Sequence, residues 1–114
     1  MREVDLAIFA TAHRDGALVI DVREPDEYVA GHVPGARLMP MGQLPALASD
    51  LPRNQPMYVI CATGNRSLSA AAYLARAGVD AWSVAGGTGA WQRAGCPIVR
   101  GDRPSAPEPD TVAE

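Results

Sequence analysis

The chain contains no lysine, and all ten of its basic side chains are arginine. These arginines are not gathered into a basic stripe, and the formal net charge is -3 at pH 7. Because nucleic-acid-binding domains concentrate positive charge on one face, we expect no nucleic-acid partner. No apolar run approaches the roughly 20 residues that span a bilayer, so we expect no membrane association.

Cysteine is also scarce, since Cys61 and Cys96 are the two thiols of the chain. The N-terminus lacks the basic and then apolar pattern of a secretory signal. Two cysteines in such a sequence favour a reducing compartment in which both thiols are free. We therefore expect a cytoplasmic protein. Its 114 residues suffice for one domain with a single core.

Strand-like and helix-like patterns alternate along residues 6–94. Short apolar runs predict strands at 17–22, 36–39, 57–60 and 81–85, and helical patterns cover 6–13, a short stretch from Pro25, 44–51, 67–77 and a last stretch through Trp91 to Ala94. This alternation predicts an α/β fold with a mainly parallel central sheet and helices on both faces. We assign residues 1–100 to the domain. Residues 101–114 are polar and rich in proline, and we predict a disordered C-terminal tail.

The most informative stretch follows the predicted strand at 57–60 and consists of Cys61, Ala62, Thr63, Gly64, Asn65, Arg66 and Ser67. A thiol at such a strand–loop–helix junction faces loop N–H groups and the positive end of a helix, which lower its pKa. Gly64 permits a positive φ, and Arg66 adds a positive charge where an anionic substrate would sit. We predict that Cys61 is a reactive nucleophile and that the six residues after it form a substrate- and anion-binding loop. The alternative is an unreactive cysteine buried at the end of a core strand.

Two other segments should lie at the same edge of the sheet. In parallel sheets, ligands bind beyond the carboxyl ends of the strands, where Asp21, Arg23, Gly86 and Gly87 also fall. We expect these four residues to support the loop, and we favour a structural ion pair for Asp21 and Arg23 over a contact with substrate. For Cys96 we expect ordinary packing, and a redox role is left open.

Five short motifs occur in a fixed order along the chain. They are Asp21-Val22-Arg23, Gly31-His32-Val33-Pro34-Gly35-Ala36, Cys61-x-x-Gly64-x-Arg66-Ser67, Gly86-Gly87 with Trp91, and Gly95-x-Pro97. With these motifs the chain resembles a single-domain rhodanese over about residues 4–100. The resemblance implies the rhodanese-like α/β fold with about five strands, sulfurtransferase activity and a persulfide on Cys61. Ala62 and Thr63 stand where the best-known thiosulfate enzymes carry basic residues, so the natural donor is left open.

The resemblance also implies a transfer of sulfur in two steps. The thiolate of Cys61 attacks the outer sulfur of a donor, either a small sulfur-containing anion such as thiosulfate or a persulfide. A thiol or protein thiol, or cyanide in an assay, then accepts the sulfur, which predicts ping-pong kinetics. We expect no organic cofactor and no metal.

Two other functions remain open. Phosphatases with a rhodanese-like fold separate cysteine and arginine by one residue more than the four that lie between Cys61 and Arg66. The shorter loop is suited to a single sulfur atom, which argues against a phosphatase or an arsenate reductase. A non-catalytic sulfur carrier or partner-binding module would also keep Cys61, so the motif does not distinguish it from an enzyme.

Overall fold

The computed structural model describes residues 1–105 and contains five strands and five α-helices within that range. The strands are β1 (Glu3–Val4), β2 (Leu18–Asp21), β3 (Arg37–Leu38), β4 (Met57–Ile60) and β5 (Ala81–Val84). The helices are α1 (Leu6–Arg14), α2 (Pro25–Ala30), α3 (Leu44–Leu47), α4 (Asn65–Arg76) and α5 (Gly87–Arg93). The strands form one parallel sheet in the order β1-β5-β4-β2-β3. The predicted α/β fold with a parallel sheet is confirmed.

Strand β4 lies at the centre of the sheet, and its side chains alternate between two apolar cores. Met57 and Val59 pack in the core that includes Leu74 of α4, whereas Ile60 packs in the core that includes Phe9 of α1. Successive strand residues point to opposite faces, so a strand covered on both sides needs an unbroken apolar run. Full burial of one such side chain contributes about 1.5–3 kcal/mol. The run at 57–60 therefore fixes the strand that leads into Cys61.

The first turns of α1 and α2 have the caps that their sequences suggest. The Asp5 carboxylate accepts a hydrogen bond from the Ile8 N–H at 2.9 Å and caps the start of α1. Helix α2 begins at Pro25, and the Glu27 carboxylate accepts the Glu24 N–H at 3.0 Å in a capping box. This second cap gives Glu27 a fixed place at the start of α2.

Two elements differ from the sequence prediction. The edge strand β1 was not predicted, because its two residues are too few to show a pattern; it pairs with β5. The single helix predicted over 44–51 is instead a 3₁₀ turn at Met41–Gln43, the short α3, and a second 3₁₀ turn at Ala48–Asp50. Pro52 disfavours helical geometry at the residue before it, and Ser49 and Asp50 compete for backbone hydrogen bonds. None of the helices in residues 1–105 is long and apolar enough to cross a membrane.

The structure describes the first five residues of the predicted C-terminal tail, and they contact the domain. The buried His32 ring lies with Nε2 2.8 Å from the carbonyl oxygen of Arg103 and 3.2 Å from that of Pro104. For residues 101–105 the structure therefore differs from the predicted disorder. Backbone carbonyls hold this segment, and composition, which reports on side chains, does not reveal them. The rest of the predicted tail, 106–114, lies outside the described residues.

Candidate active site

The loop after β4 wraps around the sulfur atom of Cys61. The Gly64 N–H donates to Sγ at 3.1 Å and the Ser67 N–H donates to it at 3.3 Å. The Ser67 hydroxyl lies 3.4 Å from the same sulfur. Cys61 is only 1% exposed, so the sulfur lies at the base of the loop and a reactant must approach it with a narrow group. The structure thus brings together three of the residues that sequence analysis assigned to this site.

The pKa of the Cys61 thiol is lowered from its ordinary value. Burial by itself would raise this pKa, but hydrogen bonds to the sulfur outweigh burial. The Ser67 hydroxyl and the N–H groups of Ser67, Gly64 and Thr63 are the donors responsible. Hydrogen bonds to the charged form of a group favour that form, and the thiolate is the nucleophilic form of cysteine. These hydrogen bonds therefore favour the thiolate form of Cys61.

Gly64 lets the chain turn from the loop into α4. It is the N-cap of α4 and has a φ of 106°, in the left-handed region that residues with a Cβ rarely adopt. A Cβ at this position would also lie 3.1 Å from the backbone nitrogen of Gly86. Both the backbone angle and the neighbouring chain therefore require glycine where the Gly64 N–H donates to the sulfur.

Ser83 of β5 continues the hydrogen bonding behind the sulfur, and sequence analysis did not identify it. Its hydroxyl oxygen lies 2.7 Å from that of Ser67, and both residues are fully buried. A hydroxyl has one proton and two acceptor sites. If Ser83 donates its proton to Ser67, the Ser67 proton is available to the sulfur of Cys61 at 3.4 Å and to the Gly64 carbonyl oxygen at 3.2 Å. The signal in the sequence is a polar side chain within the otherwise apolar run of β5.

Arg66, which was predicted to add a positive charge where an anionic substrate would sit, is hydrogen-bonded to a carboxylate. Its guanidinium donates to the two carboxylate oxygens of Glu27 at 2.8 and 2.9 Å. The hydrogen bond from Arg66 is the main cause that lowers the pKa of Glu27 to about 2. Glu27 lies 39 residues before Arg66, so the spacing of the loop motif could not indicate the pair. The charge of Arg66 is therefore largely compensated.

Asp21 and Arg23 form a buried ion pair, the arrangement that sequence analysis favoured. The Arg23 guanidinium donates to an Asp21 carboxylate oxygen at 2.7 Å and to the Gly31 carbonyl oxygen at 2.8 Å. Both side chains are almost fully buried. Because Gly31 follows the last residue of α2, this pair fixes the carboxyl end of α2 against the end of β2. Its contribution to the site is thus to hold the helix that carries Glu27.

The start of α5 holds the outer side of the loop. The Thr88 N–H donates to the Cys61 carbonyl oxygen at 2.8 Å, and the Gly89 N–H donates to the Ala62 carbonyl oxygen at 3.0 Å. A Cβ on Gly87 would lie 2.4 Å from that same Cys61 oxygen. The carbonyl groups of the loop are thereby engaged on its outer side, and its N–H groups are left for the sulfur. Gly87 and Gly86 lie against the backbone of the loop.

The other predicted site residues lie around this centre. Thr63 and Asn65 are exposed, and Ala62 is half-buried. Cys96 packs at the edge of the core that contains Phe9, whereas Cys61 belongs to the core on the other face of the sheet. Both cysteines are free thiols. The structure therefore does not bring Cys96 to the site.

Comparison with known protein families gives a match to the rhodanese-like domain over residues 7–94. This range is well over half of the chain. The chain therefore belongs to the rhodanese-like domain family, as its five motifs predicted.

Named relatives and solved structures agree with this assignment. A sulfurtransferase of Allochromatium vinosum is 36% identical over 89 residues, which are 77% of this chain and 83% of that protein. The thiosulfate sulfurtransferase GlpE of Pseudomonas putida is 39% identical over 80 residues, 69% of this chain and 73% of that protein. A rhodanese-related protein from Thermoplasma volcanium superimposes with a TM-score of 0.81 at 32% identity, covering 87% of this chain and 98% of that one. A rhodanese-like domain protein from Staphylococcus aureus gives 0.75 at 31% identity, covering 80% and 91%.

Proposed function

We propose that the protein is a sulfurtransferase that carries a sulfane sulfur on Cys61. The observation that supports this function best is the set of hydrogen bonds from Gly64 and Ser67 to Sγ, which lower the pKa of the thiol. The same donors can stabilise a negative charge on a sulfur bound to Sγ. The names of the two relatives above point to the same class of reaction.

In the first step the Cys61 thiolate attacks the outer sulfur of the donor. With thiosulfate, a bond forms between Sγ and that outer sulfur, and the sulfur–sulfur bond of thiosulfate breaks. Its electron pair leaves with sulfite, and Cys61 is left as a persulfide anion. Only a single atom of the donor has to enter the loop, which suits a sulfur that is 1% exposed.

In the second step the acceptor takes the sulfur from the enzyme. A thiolate, or cyanide in an assay, attacks the outer sulfur of the persulfide, and the bond to Sγ breaks. The electron pair returns to Cys61, whose thiolate is again stabilised by the N–H groups of the loop. Two separate half-reactions predict ping-pong kinetics. The cycle uses no cofactor or metal, and the reducing cytoplasm expected from the sequence would keep Cys61 in the thiol form.

Intact mass spectrometry tests the proposal directly. Incubation with thiosulfate, methanethiosulfonate, mercaptopyruvate and an alkyl persulfide, each in a separate sample, should add one sulfur atom to the protein with at least one of them. Added cyanide should then remove that sulfur and yield thiocyanate. No mass gain with any donor would contradict the proposal, and a gain without repeated turnover would favour a sulfur carrier.

Replacing Ser67 with alanine should move the acidic limb of the pH–rate profile to higher pH. The Ser67 hydroxyl lowers the pKa of Cys61, so its loss raises that pKa and leaves less thiolate at a given pH. A hydrogen bond to a charged group contributes about 1.5–3 kcal/mol, so kcat/KM at neutral pH should fall by roughly tenfold or more. The measurement is kcat/KM against pH with one donor.

Ser69→Ala is the matched control, because Ser69 is an exposed serine two positions further along α4. That variant should keep the profile of the native protein. Ser83→Ala should shift the limb in the same direction as Ser67→Ala but by less, since Ser83 reaches the sulfur only through Ser67. An unchanged limb in Ser67→Ala would mean that the hydroxyl does not stabilise the thiolate.

A further inference from the structure

Arg66 is the single cationic side chain of the loop from Cys61 to Ser67. The next residue, Ser67, donates its backbone N–H to the Cys61 sulfur at 3.3 Å, so Arg66 leaves the chain directly beside the site. The neighbouring Arg23 is committed to Asp21. The attraction of this loop for an anionic donor therefore depends on how much of the Arg66 charge is neutralised by neighbouring groups.

Glu27 is held where it neutralises that charge. One of its carboxylate oxygens accepts both the Arg66 guanidinium at 2.8 Å and the Glu24 N–H at 3.0 Å. The other end of α2 is fixed by the hydrogen bond from Arg23 to the Gly31 carbonyl. Because both ends of its helix are anchored, Glu27 does not depend on Arg66 for its position. It is also ionised at any pH well above its pKa of about 2.

A donor that approaches Cys61 thus meets a guanidinium and a carboxylate together. The attraction of Arg66 for the donor and the repulsion by Glu27 offset each other, and both scale with the donor's charge. The carboxylate therefore weakens the binding of a dianionic donor more than that of a monoanionic donor. One bidentate edge of the Arg66 guanidinium, formed by Nη1 and Nη2, is already used by Glu27 and is not available to an oxyanion.

We propose that Glu27 is a specificity-determining residue, which selects sulfur donors of low negative charge over dianionic thiosulfate. The substrate class that fits best is a persulfide or another monoanionic sulfane-sulfur compound. This inference rests on the proposed sulfurtransferase function and narrows its donor.

Two donors that have the same reacting sulfur but different charges can separate selection by charge from a general effect on sulfur transfer. Thiosulfate carries two negative charges and leaves as sulfite, whereas methanethiosulfonate carries one and leaves as methanesulfinate. In both cases the Cys61 thiolate forms a bond to the terminal sulfur, and the bond to the oxidised sulfur breaks with its electron pair on the leaving group. The ratio of kcat/KM for thiosulfate to kcat/KM for methanethiosulfonate then reports on charge selection.

Glu27→Gln should raise this ratio by up to about fivefold, the upper end of the range for a partly exposed ion pair. Glutamine keeps an oxygen for the Glu24 N–H and removes only the charge. Glu27→Asp keeps the charge and should leave the ratio close to that of the native protein. Asp26→Asn removes a charge from an exposed residue of the same helix turn and should also leave the ratio unchanged.

An equal loss of activity toward both donors in Glu27→Gln, with an unchanged ratio, would overturn the inference, since Glu27 would then only position Arg66. If Glu27→Gln does not fold, Glu27→Ala provides the test, because it also removes the negative charge and must raise the ratio. Failure of the sulfurtransferase function is a separate outcome. In that case neither donor would produce a persulfide on the native protein. Normal turnover with the same donor ratio in the native protein and in Glu27→Gln would reject only the role of Glu27.

Discussion

Replacing Cys61 with serine should abolish sulfur transfer, with kcat lower by roughly a thousandfold or more, as for other enzymes that lose their nucleophile. A serine hydroxyl is not ionised near neutral pH, and oxygen does not form the persulfide that the second step consumes. The hydrogen bonds from Gly64 and Ser67 lower the pKa of a thiol but cannot compensate for an alcohol. The measurement is thiocyanate formation from methanethiosulfonate and cyanide, together with intact mass.

Cys96→Ser is the matched control for this experiment. Cys96 lies in the core on the face of the sheet opposite to that of Cys61, so its loss should leave most of the activity. Circular dichroism should show that both variants are folded. Normal turnover in Cys61→Ser would show that the sulfur is carried elsewhere, and a comparable loss in Cys96→Ser would show that Cys61 does not act alone.

The part of the site that could be predicted from the sequence is local in the chain. The apolar run of β4, the turn at Gly64 and the helix-forming residues of α4 follow one another without interruption. Each short-range signal therefore agrees with the next. This agreement places the sulfur of Cys61 inside the loop before any tertiary contact is known.

The contacts that could not be predicted join residues far apart in sequence. Glu27 reaches Arg66 because α2 follows β2, which pairs directly with β4 in the sheet. Ser83 reaches Ser67 because β5 pairs with the other side of β4. These meetings depend on the order of the strands and on the packing of helices over them. A motif spacing carries neither kind of information, so the partner of Arg66 could not be predicted from the loop alone.

The orientation of the N–H and carbonyl groups in the loop explains why the loop needs the neighbouring helix α5 to form the site. Its N–H groups turn inward to the sulfur, whereas the carbonyls of Cys61 and Ala62 accept hydrogen bonds from the start of α5. If those carbonyls lost their partners, the loop could relax and its N–H groups would move away from the sulfur. The close approach of α5 is therefore a condition for the low pKa of Cys61.

Gly87 makes this approach possible, and Gly87→Ala should destabilise the fold and impair transfer together. The new Cβ would lie 2.4 Å from the Cys61 carbonyl oxygen and 2.7 Å from the Ala62 carbonyl carbon, which are backbone atoms that cannot rotate away. Overpacking and the left-handed φ of 60° should together cost about 3 kcal/mol or more. A loop displaced by about 1 Å should also lose about 100-fold in kcat/KM.

The control is Gly16→Ala, which has a φ of 86° and no heavy atom within 4 Å of the added Cβ. It should cost only about 1–2 kcal/mol from the backbone angle and should leave kcat/KM unchanged. Chemical denaturation gives the two free energies of unfolding, and kcat/KM is measured where both variants are folded. If Gly87→Ala were as stable and as active as Gly16→Ala, α5 could not be what holds the loop carbonyls away from the sulfur. The N–H groups of Gly64 and Ser67 would then keep their geometry without support from α5.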